Sequence, residues 1–225
     1  MDGDADRAPV RLVVGLGNPG PRYARTRHNA GRLAVEELGR RLGAGRFASR
    51  YAGLVADVRG PCGPLTLLLP ETFMNLSGDS VGPCAGSLRA EAPQVLLVHD
   101  EIDLPFGDVR GKAGGGAGGH NGLRSIGRVL GPDTLRVRIG VGRPGPEWRG
   151  DQADWVLARF SEPDDEVARS IDRAADMAEV VVGAGMDEAI RRFHARPPGA
   201  RATARRARPP ASDPPHDVAD DGSTR

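Results

Sequence analysis

Near its middle the chain contains Val95-Leu96-Leu97-Val98-His99-Asp100-Glu101-Ile102-Asp103-Leu104-Pro105, followed by Gly114-Gly115-Gly116-Ala117-Gly118-Gly119-His120-Asn121-Gly122. The apolar run over 95–99 predicts a buried strand, and Asp100 stands where that strand ends. Each glycine costs about 0.5–1 kcal/mol of ordering entropy relative to alanine, so a glycine run does nothing for a core. Such a run indicates backbone close to a ligand, or a loop that moves. Together with Asn18, His28 and Asn75, these segments predict a polar active site.

Apolar runs and helical patterns alternate on both sides of this strand. We predict strands over residues 10–16, 54–58, 65–69, 95–99 and 135–141, and helices over 29–43, after Asn75, over 123–130, 162–182 and 186–194. In the strand over 135–141, Arg136 and Arg138 are expected to point outward, opposite the apolar residues, as in a half-buried strand. The alternation predicts the α/β class: a single domain with a twisted mixed β-sheet surrounded by helices.

The amino-acid composition limits which binding partners and which cellular compartment are expected for this protein. The 225 residues carry a net charge of only +1, so any nucleic-acid surface must be a local basic patch. Cys62 and Cys84 are isolated, which indicates a reducing compartment. No apolar run approaches the ~20 residues of a membrane span, and the N-terminus lacks the apolar core of a signal peptide. We therefore expect a cytoplasmic protein with a catalytic domain over 1–196. The Pro/Arg/Ala/Asp-rich tail over 197–225 has no periodicity, and we predict that it is disordered.

Two short motifs point to other chemistry. Gly15-Leu16-Gly17-Asn18-Pro19-Gly20 satisfies the GxGxxG fingerprint, but Pro19, Pro21 and a polar stretch delay the helix that must begin at those glycines. Gly78-Asp79-Ser80-Val81-Gly82 satisfies GxSxG, but a loop rather than an apolar strand leads into Ser80. We interpret Ser80 as a small residue that packs a helix. A nucleotide-dependent oxidoreductase stays as a minor alternative.

A metal cluster is a third alternative, formed by His99, Asp100, Glu101 and Asp103. Adjacent strand residues point to opposite faces and cannot share one ion, so such a site needs distant partners. We predict no metal.

The better interpretation pairs His28 with Asp100. A histidine accepts a proton near neutral pH, and a carboxylate on its other ring nitrogen fixes the tautomer and raises its basicity. Asn18, Asn75 and Asn121 supply neutral donors and acceptors that suit an ester carbonyl, a ribose hydroxyl or a water. Since the sequence shows no activated Ser or Cys nucleophile, this set predicts hydrolysis by water without a covalent intermediate. The competing interpretation is that His28, next to Arg27, is a surface or helix-capping residue.

Six segments, together with Tyr23, resemble the bacterial peptidyl-tRNA hydrolase family in order and spacing over about residues 10–196. They are Gly15–Gly20, Thr26-Arg27-His28-Asn29-Ala30-Gly31, Pro70–Gly78, His99–Pro105, Gly119-His120-Asn121-Gly122 and Arg138–Pro144. The resemblance implies a monomeric enzyme that cleaves the ester between a peptide and the 3′-terminal ribose of tRNA. It recycles tRNA from peptidyl-tRNA released by ribosomes, with no metal and no cofactor.

The resemblance also implies residue roles. His28 resembles the catalytic base, Asp100 the carboxylate that holds it, and Asn18 the residue that separates blocked from free aminoacyl-tRNA. Four residues match positions that bind the tRNA 3′ end or the adjoining peptide: Tyr23, Phe73, Asn75 and Asn121. Arg110 and Lys112 fall where the family has a basic pair that binds the tRNA 5′-phosphate, and Arg138 is either structural or phosphate-binding.

The chain departs from the family pattern in two places. Arg110 replaces a common lysine, which exchanges a point charge for a fork, and Ala117 replaces a common histidine. The alternative from another class is an RNA-binding module that has lost catalysis. Such a module would lack His28 or Asp100, and both are present.

Overall fold

The computed structural model describes residues 9–194, and the predicted tail lies outside them. In chain order these residues form β1 Leu12–Gly15, α1 Ala30–Arg41, β2 Ala48–Arg50, β3 Gly53–Gly60, β4 Gly63–Pro70, α2 Ser77–Leu88, β5 Val95–Glu101, β6 Val109–Ala113, α3 Asn121–Leu130, β7 Leu135–Gly140, α4 Gln152–Leu157 and α5 Asp164–His194. One-turn 3-10 helices at Arg27–Asn29, Met74–Leu76 and Ala92–Gln94 precede α1, α2 and β5.

One seven-stranded sheet has the order β2-β3-β4-β1-β5-β7-β6. The four central strands β4, β1, β5 and β7 are parallel, while β2, β3 and β6 add antiparallel edges. The parallel strands carry continuous apolar runs because helices cover both of their faces. Their carboxyl ends meet at one edge of the sheet, where α/β proteins of this kind bind ligands.

Helices form a layer on each face of the sheet. α1 and α5 pack on one face through Ala34, Val35, Leu38 and the apolar side of α5. α2 and α3 pack on the other through residues such as Val81 and Ile126. The resulting three-layer domain confirms the predicted α/β class and the mixed sheet.

Most predicted elements are present, with shifted ends. The two C-terminal helices predicted separately are both present within α5, and the non-helical backbone of Gly185, where φ is 85° and ψ is 167°, separates them. β2 and α4 were not predicted, since three and six residues are too few to show a period.

The expected outward position of Arg136 is wrong. Arg136 is 5% exposed, and its guanidinium donates to the carbonyl oxygens of Gly115 and Gly116, the latter at 2.6 Å. The glycine run folds over this face of β7, so the face is covered rather than solvated. Arg136 instead fixes the start of the glycine run, and Arg138 is half-buried.

No helix over residues 9–194 is both long and apolar enough to cross a membrane.

Candidate active site

His28 lies on the 3-10 turn that leads into α1 and is 8% exposed. The close approach of α1 to the sheet places it there. A Cβ on Gly31 would stand 2.0 Å from the carbonyl oxygen of Val98, so only glycine allows the first turn of α1 to lie on β5. Because β5 continues from Val98 to Asp100, this contact brings the imidazole to the carboxyl end of the strand.

The His28 imidazole and the Asp100 carboxylate are in direct contact. His28 Nδ1 lies 2.8 Å from Asp100 Oδ1, and the Asp100 side chain is 3% exposed. Burial by itself lowers the pKa of His28, but the negative charge of Asp100 and its hydrogen bond outweigh burial and leave that pKa raised above 6.5. The pairing predicted from the sequence is therefore present, and the interpretation of His28 as a surface residue is wrong.

His120 is a second imidazole on the same carboxylate, and no role was predicted for it from the sequence. Its Nδ1 accepts the backbone N–H groups of Gly122 at 3.1 Å and Leu123 at 3.4 Å, which caps α3. Its proton therefore lies on Nε2, which donates to Asp100 Oδ1 at 3.2 Å. α3 begins at Asn121, two residues earlier than the start predicted at residue 123, so His120 was not recognised as the residue that caps it.

Asp100 thus lies between two imidazoles. Burial alone would raise the pKa of Asp100, but the neighbouring His28 and His120 outweigh it and hold that pKa well below its usual range. The carboxylate is therefore ionised at neutral pH. It accepts from both rings through one oxygen, Oδ1.

The same three side chains offer ligand atoms within 4.8 Å of one another, and the arrangement bears on whether they could hold a metal ion. Both imidazoles are at hydrogen-bond distance from a single carboxylate oxygen, and the Nδ1 of His120 is occupied by backbone N–H groups. Protons therefore occupy the positions where an ion would need lone pairs. The other candidate metal cluster, that of His99, Asp100, Glu101 and Asp103, does not come together either, because the Asp103 carboxylate accepts a hydrogen bond from Arg143 at 2.9 Å. The donor set suits a hydrogen-bonded triad rather than a metal ion.

Asn18 presents a donor to the space beside His28. Its Oδ1 accepts the backbone N–H of Met74 at 2.8 Å, and its main chain makes two reciprocal bonds of 2.9 Å with the Asn29 amide. Because an N–H group must be met by oxygen, the orientation of the Asn18 amide is fixed. The two Nδ2 hydrogens are what Asn18 offers to a ligand, while the residue itself is only 6% exposed.

A pocket of about 700 Å³ opens at this edge of the sheet and contains most of the predicted site residues. Seven of them line it: Asn18, Tyr23, His28, Phe73, Asn75, Asp100 and Asn121. Another wall is formed by α4, a helix that was not predicted from the sequence, through Gln152, Ala153, Val156 and Leu157. Phe73 is 55% exposed and Leu157 40% exposed, so the pocket combines a polar floor with apolar walls.

Arg110 and Lys112 do not line the pocket. They lie on β6 two residues apart, so their side chains share one face of the sheet. Arg138 stands opposite Arg110 on β7, on the same face, and its Nη1 lies 3.8 Å from Glu101 at the end of β5. The structure therefore places a small basic strip beside the pocket, within a chain of net charge +1.

The other two motifs have structural roles. α1 begins at Ala30, well beyond Gly20, so no helix N-terminus stands at the GxGxxG glycines. Ser80 lies inside α2 and is 0% exposed, as expected of a small residue that packs a helix. Neither motif forms the site that its pattern names.

Comparisons with known proteins identify the family of this chain. The family model described as Peptidyl-tRNA hydrolase matches residues 12–201. The chain belongs to the peptidyl-tRNA hydrolase family. This confirms both the resemblance and the enzyme class that it implied.

Individual relatives match over nearly their whole length. The chain is 48% identical to the peptidyl-tRNA hydrolase of Renibacterium salmoninarum, over 81% of this chain and 96% of the relative. It is 45% identical to that of Frankia casuarinae, over 82% and 93%. The crystal structure of peptidyl-tRNA hydrolase from Acinetobacter baumannii superposes with a TM-score of 0.75 at 38% identity, over 83% of this chain and 95% of that one.

Proposed function

We propose that this protein hydrolyses the ester between a peptide and the 3′-terminal ribose of tRNA, with His28 as the general base for water. The observation that carries the mechanism is the buried contact of 2.8 Å between His28 Nδ1 and Asp100 Oδ1. With Nδ1–H donating to Asp100, the lone pair of His28 is on Nε2. A neutral imidazole with its tautomer fixed by a carboxylate is the usual general base of hydrolases.

The proposed reaction needs no covalent intermediate. His28 Nε2 takes a proton from a water molecule as its oxygen attacks the ester carbonyl carbon. The tetrahedral intermediate then collapses, the bond to the ribose 3′-oxygen breaks, and the imidazolium returns the proton to that oxygen. The products are a peptide carboxylic acid and tRNA with a free terminal hydroxyl. Asp100 stabilises the imidazolium while it exists, because the carboxylate remains ionised throughout.

Asn18 supports selection of peptidyl-tRNA over free aminoacyl-tRNA. A blocked substrate carries an amide carbonyl next to the ester, whereas a free one carries a cationic ammonium group. The Nδ2 hydrogens that Asn18 presents can donate to the carbonyl oxygen but offer nothing to the ammonium group. A buried donor left unpaired is unfavourable, so the free aminoacyl ester binds less well.

The remaining pocket residues suit the two ends of the substrate. Asn75 and Asn121 offer donors and acceptors for the terminal ribose and base, and Tyr23 and Phe73 offer aromatic faces on which a base or peptide side chain can pack. Arg110 and Lys112 lie outside the pocket, where they would bind the 5′-phosphate of the tRNA. Release of tRNA from peptidyl-tRNA dropped by ribosomes follows as the cellular role, in the cytoplasm and with the protein acting as a monomer.

Deacylation of purified N-acetyl-aminoacyl-tRNA by wild type and His28→Ala tests the mechanism. We expect the variant to lose roughly 10²–10⁴-fold in kcat, the usual contribution of a positioned general base, with KM little changed. Wild-type turnover by folded His28→Ala protein would refute the assignment.

A further inference from the structure

Arg27, the residue before His28, has a fully buried side chain. It is 0% exposed, and its guanidinium donates to the Ser161 hydroxyl at 3.0 Å, to the Glu162 carboxylate at 3.0 Å and to the Arg159 carbonyl oxygen. The Glu162 side chain is itself only 9% exposed. The fork of Arg27 therefore reaches three residues of one segment, Arg159, Ser161 and Glu162.

The flat face of the same guanidinium stacks on Trp155 of α4. Arg27 Cζ lies 3.8 Å from the centre of the indole ring and 5.5 Å from the centre of the Phe160 ring. Trp155 is 2% exposed, and its Nε1–H donates to the carbonyl oxygen of Gly142, after β7, at 2.8 Å. Arg27 thus forms part of the surface against which α4 packs.

Backbone contacts join the two segments at the same point. The Arg27 N–H donates to the Ala158 carbonyl oxygen at 3.1 Å, and Thr26 pairs with Arg159 as an isolated antiparallel bridge. On one side of this junction the chain continues directly into His28. On the other side it leads back into α4, whose residues form the pocket wall. The two walls of the pocket are therefore connected through Arg27.

A purely structural role does not account for a charged residue here. Burying a guanidinium is unfavourable unless it is paired, and well-packed apolar residues often stabilise as well or better than a buried ion pair. What Arg offers beyond an apolar side chain is direction: a planar fork that fixes three acceptors while its face holds an aromatic ring. That combination fixes the position of the His28 segment relative to α4 and adds little to the overall stability of the fold.

We propose that Arg27 is a positioning residue of the hydrolase, which holds the His28 imidazole and the α4 wall in the register that hydrolysis requires. It contacts neither water nor substrate in the proposed mechanism and acts through His28 and Trp155. The inference rests on the proposed function of His28 as the base. Small misplacements of a catalytic group are known to lower rates by large factors, up to about 10²-fold for a displacement of 1 Å.

The test uses variants of the full chain that leave no buried charge alone. Arg27→Met combined with Glu162→Gln removes both partners of the buried pair, and Arg27→Lys keeps the charge but loses the fork. Arg25→Met is the matched control, because Arg25 pairs with Asp164 between the same two segments but is 66% exposed. His28→Ala is measured in parallel.

Three measurements separate positioning from folding. They are the melting temperature, kcat and KM on N-acetyl-aminoacyl-tRNA per folded molecule, and acrylamide quenching of tryptophan emission. The chain has two tryptophans, Trp148 and Trp155, and their rings are 5.2 Å apart. The tryptophan emission therefore reports on how α4 packs against Arg27. For the double variant and Arg27→Lys we expect kcat to fall at least tenfold with a smaller change in KM, and quenching to increase. Arg25→Met should match wild type in all three.

The outcomes are distinct. Wild-type kcat in the folded double variant and in folded Arg27→Lys would overturn the inference, even if both melted at lower temperature, because the role would then be stability alone. If His28→Ala is inactive while those variants are fully active, only the positioning role fails. If His28→Ala keeps wild-type activity, the proposed base fails, and the positioning of that base fails with it.

Discussion

Asp100→Asn is the change that tests the proposed mechanism most directly. Asparagine has the size of aspartate, and its Oδ1 can accept from both His28 Nδ1 and His120 Nε2 as the carboxylate does at 2.8 and 3.2 Å. The geometry is therefore kept while the charge is lost. Without that charge the imidazolium that forms during the reaction has no counter-ion. Water cannot replace it, because the side chain at position 100 is only 3% exposed.

The size of the effect can be bracketed in two ways. A hydrogen bond to a charged group contributes about 1.5–3 kcal/mol and a neutral one about 0.5–1.5 kcal/mol, so from the middle of each range losing the charge costs about 1 kcal/mol. Two unit charges about 4 Å apart interact by about 4 kcal/mol at an effective dielectric constant of 20. Since about 1.4 kcal/mol corresponds to tenfold in rate, kcat should fall by between about fivefold and about 10³-fold.

The direction in which the pH–rate profile of Asp100→Asn shifts is a second, independent test. His28 must be neutral to act as a base, so the rate falls as pH drops through its pKa. The Asp100 charge raises that pKa against the opposing effect of burial, so its removal should lower the pKa and move the acidic limb to lower pH. The assay is deacylation of N-acetyl-aminoacyl-tRNA across the acidic range, with spontaneous ester hydrolysis subtracted.

Asp103→Asn is the matched control. Asp103 follows the same strand, but its side chain is 60% exposed and pairs with Arg143 rather than with an imidazole. It should leave both kcat and the acidic limb unchanged. If folded Asp100→Asn protein also showed an unchanged kcat and an unchanged limb, Asp100 would not act on His28 and the reasoning would be wrong.

Three further predictions concern recognition and support. Arg110→Ala with Lys112→Ala should raise KM for full-length peptidyl-tRNA at low salt and weaken its salt dependence, while an acylated CCA fragment without the 5′-phosphate is cleaved as before; equal losses on both substrates would indicate a folding defect instead. Asn18→Ala should reduce the ratio of kcat/KM for N-acetyl-aminoacyl-tRNA over free aminoacyl-tRNA, and an unchanged ratio would remove Asn18 from selection. His120→Asn keeps an acceptor for the start of α3 but loses the Nε2–H bond to Asp100, so kcat should fall with little loss of stability. His120→Ala removes the acceptor as well, so it should also lower the free energy of unfolding by about 0.5–2 kcal/mol in chemical denaturation, the range for a lost helix cap.

The sequence predicted the fold where periods were long. The apolar run of β5 and the helical spacing of α1 were both found, because burial imposes a pattern on every residue of such elements. β2 and α4 were missed because they have only three and six residues. The outward position of Arg136 was predicted from alternation alone, which does not register that the glycine run folds back over that face and accepts its guanidinium.

The site was predicted where the chemistry of a side chain identified it. His28 and Asp100 are 72 residues apart, yet the chemistry of a base and a carboxylate suggested a pair before any distance was known. His120 and Arg27 gave no such signal. His120 matters through which of its nitrogens carries the proton, and Arg27 through which segment folds against it. Both depend on tertiary contacts that a single sequence does not display.

In the proposed function, the separation between the pocket and the basic strip would let a nearly neutral protein select one kind of RNA. A uniformly basic surface would bind any nucleic acid, because phosphate attraction is independent of sequence. In the proposed function, the strip holding Arg110 and Lys112 binds a terminal phosphate weakly, and the pocket binds the blocked ester weakly. A molecule that carries both groups at the right separation engages the second site at high effective concentration, without any new contact. Discrimination then comes from the distance between the two groups, which the β5–β7–β6 part of the sheet fixes.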